Sequence, residues 1–321
     1  MTEYRFAEQE PHEAGFADVY ENEVSPFLKE MEILRTRSLA KRKLWVGIVI
    51  PLSAGLAFWS GMAVHPALAF FPLFLGFVLA FLLWVQRGDK VERAAAAFLP
   101  PVLCRFLGSM EMTREVPGGF MPLERLRDLR LLPHGSEANQ SLAVTGQWRD
   151  VNYKVLSLTC RQRERDSEGD VRYHEVFSGI LLQVDCPVDM PCTVFLRDFG
   201  ETLNKVNKWS SPAVPPHRWE FADPGIENVF EVYSDDIDRA SQHLGQNFPC
   251  KFIDMAKSFQ GGREYCEAAF EGHDFYLALR LPHRFLGFNL GNDPLHLADE
   301  PIRRALADLV MPRRVIDMLL D

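Results

Sequence analysis

Apolar residues are unevenly spread along this chain. Their longest uninterrupted runs are LWVGIVIPLSAGLAFWSGMAV (residues 44–64) and ALAFFPLFLGFVLAFLLWV (residues 67–85), parted only by His65-Pro66. Neither run holds a charge, and each approaches the ~20 residues that a helix needs to cross a hydrocarbon core. In lipid a single segment satisfies its own backbone hydrogen bonds only as a helix. So short a connection turns the second helix straight back. The pattern predicts a transmembrane hairpin rather than a buried helical pair of a soluble core. A cleaved leader is disfavoured because the first run begins too far in and has no Ala-x-Ala ending. Gly47, Ala54 and Gly61 on the first helix, and Gly76 and Ala80 on the second, predict small-residue packing stripes. Pro51 and Pro72 are expected to kink or loosen the two helices.

On either side the pattern changes. Residues 1–15 are polar and read as a flexible tail. Phe16, Val19, Tyr20, Val24, Phe27, Leu28, Met31 and Leu34 recur at helical period, so residues 16–43 form an amphipathic helical segment. Ser25-Pro26 is expected to divide it into two helices. That stripe needs a cover, either the C-terminal region folding back or a second subunit. Residues 86–108 read as a linker helix broken at Pro100-Pro101, and residues 109–321 as an α+β domain with an antiparallel sheet. Within it, a short helix at 122–132 precedes a hairpin around Arg149-Asp150, and residues 161–170 form a solvated loop. Strands follow at VFSGILLQVD, CTVFLRDF and NVFEVYS, with a short helix after Asp235-Asp236. KFIDMAKSF, EYCEAAF and HDFYLALRL read as three more strands, the last two joined by a turn at Glu271-Gly272. Residues 301–321 read as an amphipathic helix or pair interrupted at Pro312.

Charge orients the hairpin. Arg35, Arg37, Lys41, Arg42 and Lys43 precede it, Arg87, Lys90 and Arg93 follow it, and the turn between carries no Lys or Arg. Short basic flanks stay on the cytoplasmic side, and Trp45 and Trp84 stand at the corresponding helix ends. Both termini are thus expected in the cytoplasm of a bacterium, with the chain multi-pass in the inner membrane. Lys41, Arg42, Lys43, Arg87, Lys90 and Arg93 form a basic collar able to attract anionic lipid. The 321-residue chain as a whole carries a net charge of −9, which argues against nucleic acid as a partner. Its six cysteines show no Cys-x-x-Cys spacing and are expected reduced, although Cys186 and Cys192 are placed to meet across a turn.

Candidate chemistry is sparse. Asp235, Asp236 and Asp238 follow Ser234 at a strand-to-helix junction, where they offer carboxylates to a cation or simply cap the helix. Ser178, His273 and Asp274 make no Gly-x-Ser-x-Gly elbow, and His217, His283 and His296 lie in loops. Gly118-Gly119 and Gly261-Gly262 read as turns rather than phosphate loops. No catalytic, cofactor-binding or metal-binding set is assigned, and no cofactor is expected.

The order VYENEVSPFLKEMEILR, apolar hairpin, VFSGILLQVD, DPGIENVFEVYSDDIDRA and FYLALRL resembles the bacterial DUF3137 family of membrane proteins over roughly residues 16–290. The run from residue 223 to 239 is its most specific part. That resemblance implies architecture and no activity. The combined expectation is a membrane-anchored scaffold or interaction protein that holds a protein partner, or a second copy, beside the bilayer. The alternatives are a membrane-bound hydrolase or metal enzyme using Asp235, Asp236 and Asp238, and anionic-lipid sensing through the collar.

Overall fold

A computed structural model describes residues 5–63, 70–85, 89–134, 136–165, 170–197, 213–221, 224–245, 248–259, 266–288, 290 and 294–321. The His65-Pro66 connection, Arg87, Trp209 and Gly261-Gly262 lie outside the described residues. Contacts divide the chain into two units, residues 1–102 with 287–306, and residues 103–286 with 307–321. The fold is mixed α+β, with long N-terminal helices and a seven-stranded antiparallel sheet.

The first unit is helical. A short 3-10 turn, Pro11–Glu13, leads into α1 (Phe16–Val19), a π turn (Tyr20–Val24) and α2 (Ser25–Ala63). Phe16, Tyr20, Val24, Leu28 and Met31 are buried, which is the expected stripe. The expected break at Ser25-Pro26 does not occur. Pro26 brings no N–H to the helix, and the widened turn before it, closed by Ser25 N–H on the Tyr20 carbonyl, lets the helix run on. The stripe is covered by the chain's own later residues. Tyr20 donates to Asp299 at 2.6 Å, Leu295 N–H donates to Glu32, and Phe27 stacks on Phe98 at 4.3 Å. Residues 5–15, polar enough to be expected as a tail, place Phe6 against Phe16 and Tyr20. Glu13 is fully buried and accepts from Arg303 Nε at 2.9 Å.

The apolar part of α2 packs on α3 (Phe70–Val85). The face used is not the predicted one. Gly47 has nothing near it and Ala54 is exposed, whereas Ser53 lies against Gly76 and Ala57 is buried. Gly61 and Ala80 have no described surroundings. Ser53 and Ala57, four residues apart, present the small surface, and a Cβ on Gly76 would stand 2.4 Å from Ser53 Cβ. Pro51 sits within α2, and Pro100 and Pro101 within α4 (Asp89–Leu107), without ending either helix.

The second unit is organised by β4 (Val171–Arg197) and β7 (Cys266–Arg280), antiparallel to each other. β1 (Met110–Thr113), β2 (Ser136–Trp148) and β3 (Val151–Arg165) lead to the first half of β4, and β6 (Phe230–Ser234) and the edge strand β5 (His217–Trp219) flank its second half. Arg149 and Asp150 both take positive φ, giving the tight turn of the expected hairpin. Two expected breaks are bulges instead. The ladder slips between Asp185 and Thr193, where Pro187 and Pro191 have no N–H to donate, and Gly272 opposite Met190 takes φ +61 in an unbroken β7. Cys186 and Cys192 therefore share one strand with the bulged segment between them, and all six cysteines are free.

KFIDMAKSF is helical, not a strand. It lies in α8 (Phe248–Ser258), which follows α6 (Pro224–Glu227) and α7 (Ile237–Leu244). Phe248, Phe252, Ile253 and Ala256 supply a buried face at helical spacing, and Phe248 and Phe252 pack on Phe195. On the other face of the sheet α5 (Leu123–Asp128) buries Leu126 among Leu156, Phe177, Val194 and Leu196, so both halves of β4 line one core. The helix α9 (Asp299–Leu320) continues through Pro312, and its Asp317 accepts from Trp148 Nε1 at 2.9 Å.

Breaking the buried Glu13–Arg303 pair leaves Arg303 with only the exposed Glu300 carboxylate at 3.4 Å, which costs roughly 3 kcal/mol. Glu13→Ala is therefore expected to lower unfolding stability by about that amount and to open residues 5–15 to protease. A loss below 1 kcal/mol with unchanged proteolysis contradicts this packing.

Candidate functional site

The collar residues are placed in part. Lys41 and Lys43 are exposed on α2 and Arg93 is exposed on α4. The side chains of Arg42 and Lys90 and the whole of Arg87 are outside the described residues. The aspartate cluster does not converge. Asp235, Asp236 and Asp238 are all exposed, and Asp236 accepts from Arg239 N–H at 3.0 Å as the cap of α7. Ser234 is buried and bonds Thr193 at 2.8 Å. Ser178, His273 and Asp274 are likewise not one site. Ser178 lies beyond the Gly179–Arg280 end of the β4–β7 ladder, while His273 faces the Cys186 carbonyl and Asp274 accepts from Gln183 and Tyr276. His283 pairs with Asp308 at 3.1 Å.

The most unusual chemistry in the second unit lies where no motif pointed. Glu231 on β6 stands opposite Leu196 of β4. On the other side of β4, Phe195 pairs with Ala268, which brings the preceding Glu267 level with Leu196. Two glutamates thus flank one leucine in a single row across three strands, 8% and 7% exposed. Carboxylates rarely occupy such positions without partners. Tyr233 donates to Glu231 at 2.8 Å, and Arg218 approaches it at 3.8 Å.

Burial drives the carboxyl of Glu267 up from the ordinary 4.5 to about 7, against the opposing pull of Arg280, Arg197 and Arg130. Burial and then the Glu231 bond push the Tyr233 hydroxyl up to about 12. Arg130 is pulled downward by burial, with Tyr233, Glu231 and Glu267 holding it up. Its backbone is equally informative. Leu131 N–H donates to Leu126 and Arg130 N–H to Arg127, the double closure of a helix that ends on a left-handed residue. Glycine occupies that position without steric penalty. Here arginine occupies it at φ +68, at a cost of about 1 kcal/mol. The strain holds a cation facing both glutamates. The two carboxylates stand two strand spacings apart, roughly 10 Å, with Leu196 between them, so they do not share a proton directly.

A concavity of about 370 Å³ is lined by Glu175, Phe177, Ser178, Arg280 and Pro282. Arg280 spans it as part of the wall, donating to the Val176 carbonyl and lying over the Phe177 ring. Among the described residues no group of three or more His, Cys, Asp or Glu is placed to hold a metal ion.

The raised affinity of Glu267 has a signed consequence. Below the ordinary carboxylate range it is neutral whether folded or unfolded, so it carries no penalty. As pH rises from about 4.5 to about 7 the unfolded chain ionises first, and stability falls by on the order of 3 kcal/mol. Glu267→Gln removes that slope, so wild type and variant diverge across this window in unfolding titrations. Parallel curves between those pH values contradict the burial.

No curated protein matches this chain. Among solved structures, the crystal structure of the mycobacterial trehalose monomycolate transport factor A, TtfA, matches at 13% identity and TM-score 0.26, covering 61% of this chain and 92% of that one. At that score the likeness carries no argument. The family model described as a protein of unknown function (DUF3137) matches residues 175–320, a stretch that includes most of β4, β6, β7, Glu231 and Glu267, so the family resemblance read from the sequence is shown over those residues, and the part of it N-terminal to residue 175 lies outside the match.

Proposed function

We propose that this chain is a membrane-anchored interaction protein. In this reading α2 and α3 form a two-span hairpin, both termini lie on the cytoplasmic side of a bacterial inner membrane, and the α+β unit is presented there to a protein partner or a second copy. One observation carries it. Among the described residues the outward apolar helix surfaces have no protein cover: Trp45, Leu52, Leu56, Phe58, Phe71, Phe74, Phe77 and Phe81 are all exposed. The helical stretch Phe16–Trp59 contains an 18-residue window apolar enough to cross a membrane, and only 6% of it is buried. A core helix of a soluble protein buries such a surface. α3 is shorter and uncharged, and its apolar stretch Phe70–Leu79 packs beside α2 through Gly76. At 39 residues α2 is about 58 Å long, so it extends well beyond a ~30 Å hydrocarbon core. Its amphipathic first half then stands in water, and Lys41, Arg42 and Lys43 mark the crossing point.

The alternative enzyme reading required Asp235, Asp236 and Asp238 to meet in a pocket, and their exposed, capping arrangement removes its support. Lipid attraction by the collar of Lys41, Arg42, Lys43, Arg87, Lys90 and Arg93 is part of the anchor reading rather than a rival to it.

Topology fusions test the anchor. A fluorescent protein at the C-terminus is expected to glow, a periplasm-dependent phosphatase at the same place to stay silent, and deletion of residues 44–85 to release the chain from alkali-washed membranes. An active phosphatase at the C-terminus refutes the two-span topology. Cross-linking in native membranes that yields only isolated monomers refutes the interaction role.

A further inference from the structure

One end of the apolar core in the second unit is closed by charge. Tyr233 on β6, Leu196 on β4, and Ala269 and Ala278 on β7 share that core. Two residues away from Tyr233, Ala269 and Ala278, on the same strand faces, stand Glu231, Glu267 and Arg280. Arg130 joins them between Leu129 and Leu131, which belong to the same core. Arg197 belongs elsewhere, because its register partner Phe230 packs on Phe252 of α8, on the opposite face of the sheet. Bonding within the ring is uneven. Glu231 accepts from Tyr233, Arg218 bonds Glu227, and Arg280 donates to the Val176 carbonyl while lying over Phe177. Arg130 and Glu267 feel each other's charge, yet among the described residues neither makes a hydrogen bond or an ion pair. Glu267 is only 7% exposed, and a buried carboxyl without a partner is costly. An unused set of donors and an unused carboxyl therefore face one gap.

We propose that this gap binds a small zwitterion of the α-amino-acid class, its carboxylate on the Arg130 guanidinium and its ammonium on Glu267. Net charge favours neither a simple anion nor a simple cation, because Arg130 and Arg280 balance Glu231 and Glu267 on this face. The two groups left unbonded are opposite in sign, and a molecule carrying both complements satisfies them together. Such a ligand also accounts for the backbone at Arg130. The chain accepts φ +68 at a residue that bonds nothing, where glycine carries no steric penalty. The site lies within the α+β unit and is independent of the membrane anchor.

The test titrates the full chain in detergent with glycine, alanine and leucine, and with the analogues of each that lack the ammonium or the carboxylate, read by calorimetry and melting temperature. At least one amino acid is expected to bind, and both of its one-ended analogues at least about tenfold more weakly. Glu267 must be ionised to receive an ammonium, so affinity rises as pH climbs toward about 7 and levels off above it. E267Q is expected to bind at least about tenfold more weakly and to lose that pH dependence. R130G loses binding to the same degree while melting no lower than wild type, since glycine takes a left-handed backbone freely. If one variant fails to fold, the other and the wild-type pH profile decide. Neither heat nor a rise in melting temperature with any of the three amino acids overturns the proposal and leaves the gap to water. A carboxylate-only analogue that binds as tightly as its parent, with affinity falling as pH rises, overturns it in favour of a simple anion. Unchanged binding by R130G overturns the assigned site.

Discussion

An apolar surface must lie against something other than water, and among the described residues the outward surface of α2 and α3 has no protein against it. Burying a phenylalanine or leucine side chain is worth roughly 1.5–3 kcal/mol, so a row of them left in water forfeits stabilisation comparable to a domain's whole net stability. The proposed lipid surroundings supply the missing cover. The contact between Ser53 and Gly76 has the form such a solvent demands, because helices in lipid attract one another by close packing of small residues. The same pressure explains why α2 changes character after Lys43: N-terminal to it the helix buries one stripe against its own chain, and from Leu44 to its end no charge occurs.

The second unit obeys a different constraint, continuity of two long strands. β4 exchanges β3 for β6 along one edge while β7 follows it along the other. The bulges opposite Gly272 keep the ladder alive through a segment containing two prolines, and residues from both halves then pack on α5. Within that core the row of Glu231, Leu196 and Glu267 is a departure from ordinary packing. It is held by Tyr233 and by an arginine that accepts a left-handed backbone to be there.

Long-range periodicity was the most legible feature of the sequence. The apolar runs, the 16–31 stripe, the Arg149-Asp150 hairpin and the start of α7 after Asp236 all follow from local rules and stand where those rules place them. Proline and glycine misled wherever neighbouring strands or helices overrode them. Pro187, Pro191 and Gly272 signalled ends and became bulges, and Pro26, Pro100 and Pro312 signalled breaks that packing did not allow. KFIDMAKSF carries Phe252, Met255, Ala256 and Phe259 at i, i+3, i+4 and i+7, so the helix was legible in the run and the strand reading went against its period. Glu231 and Glu267 were invisible as a pair because their alignment exists only through Leu196. The available signal was a glutamate in FEVYS, a strand in which every residue is buried, so that either face leads indoors.

The dependence of everything else on a lipid-facing helix pair can be measured residue by residue. Spin labels placed singly at Leu52, Leu56, Phe58, Phe74 and Phe77 of the reconstituted chain report collisions with oxygen, which concentrates in hydrocarbon, and with a polar nickel complex, which does not enter it. The account predicts oxygen access dominating at all five sites and greatest where the helices cross mid-bilayer. Ready access of the nickel complex to these positions would contradict it.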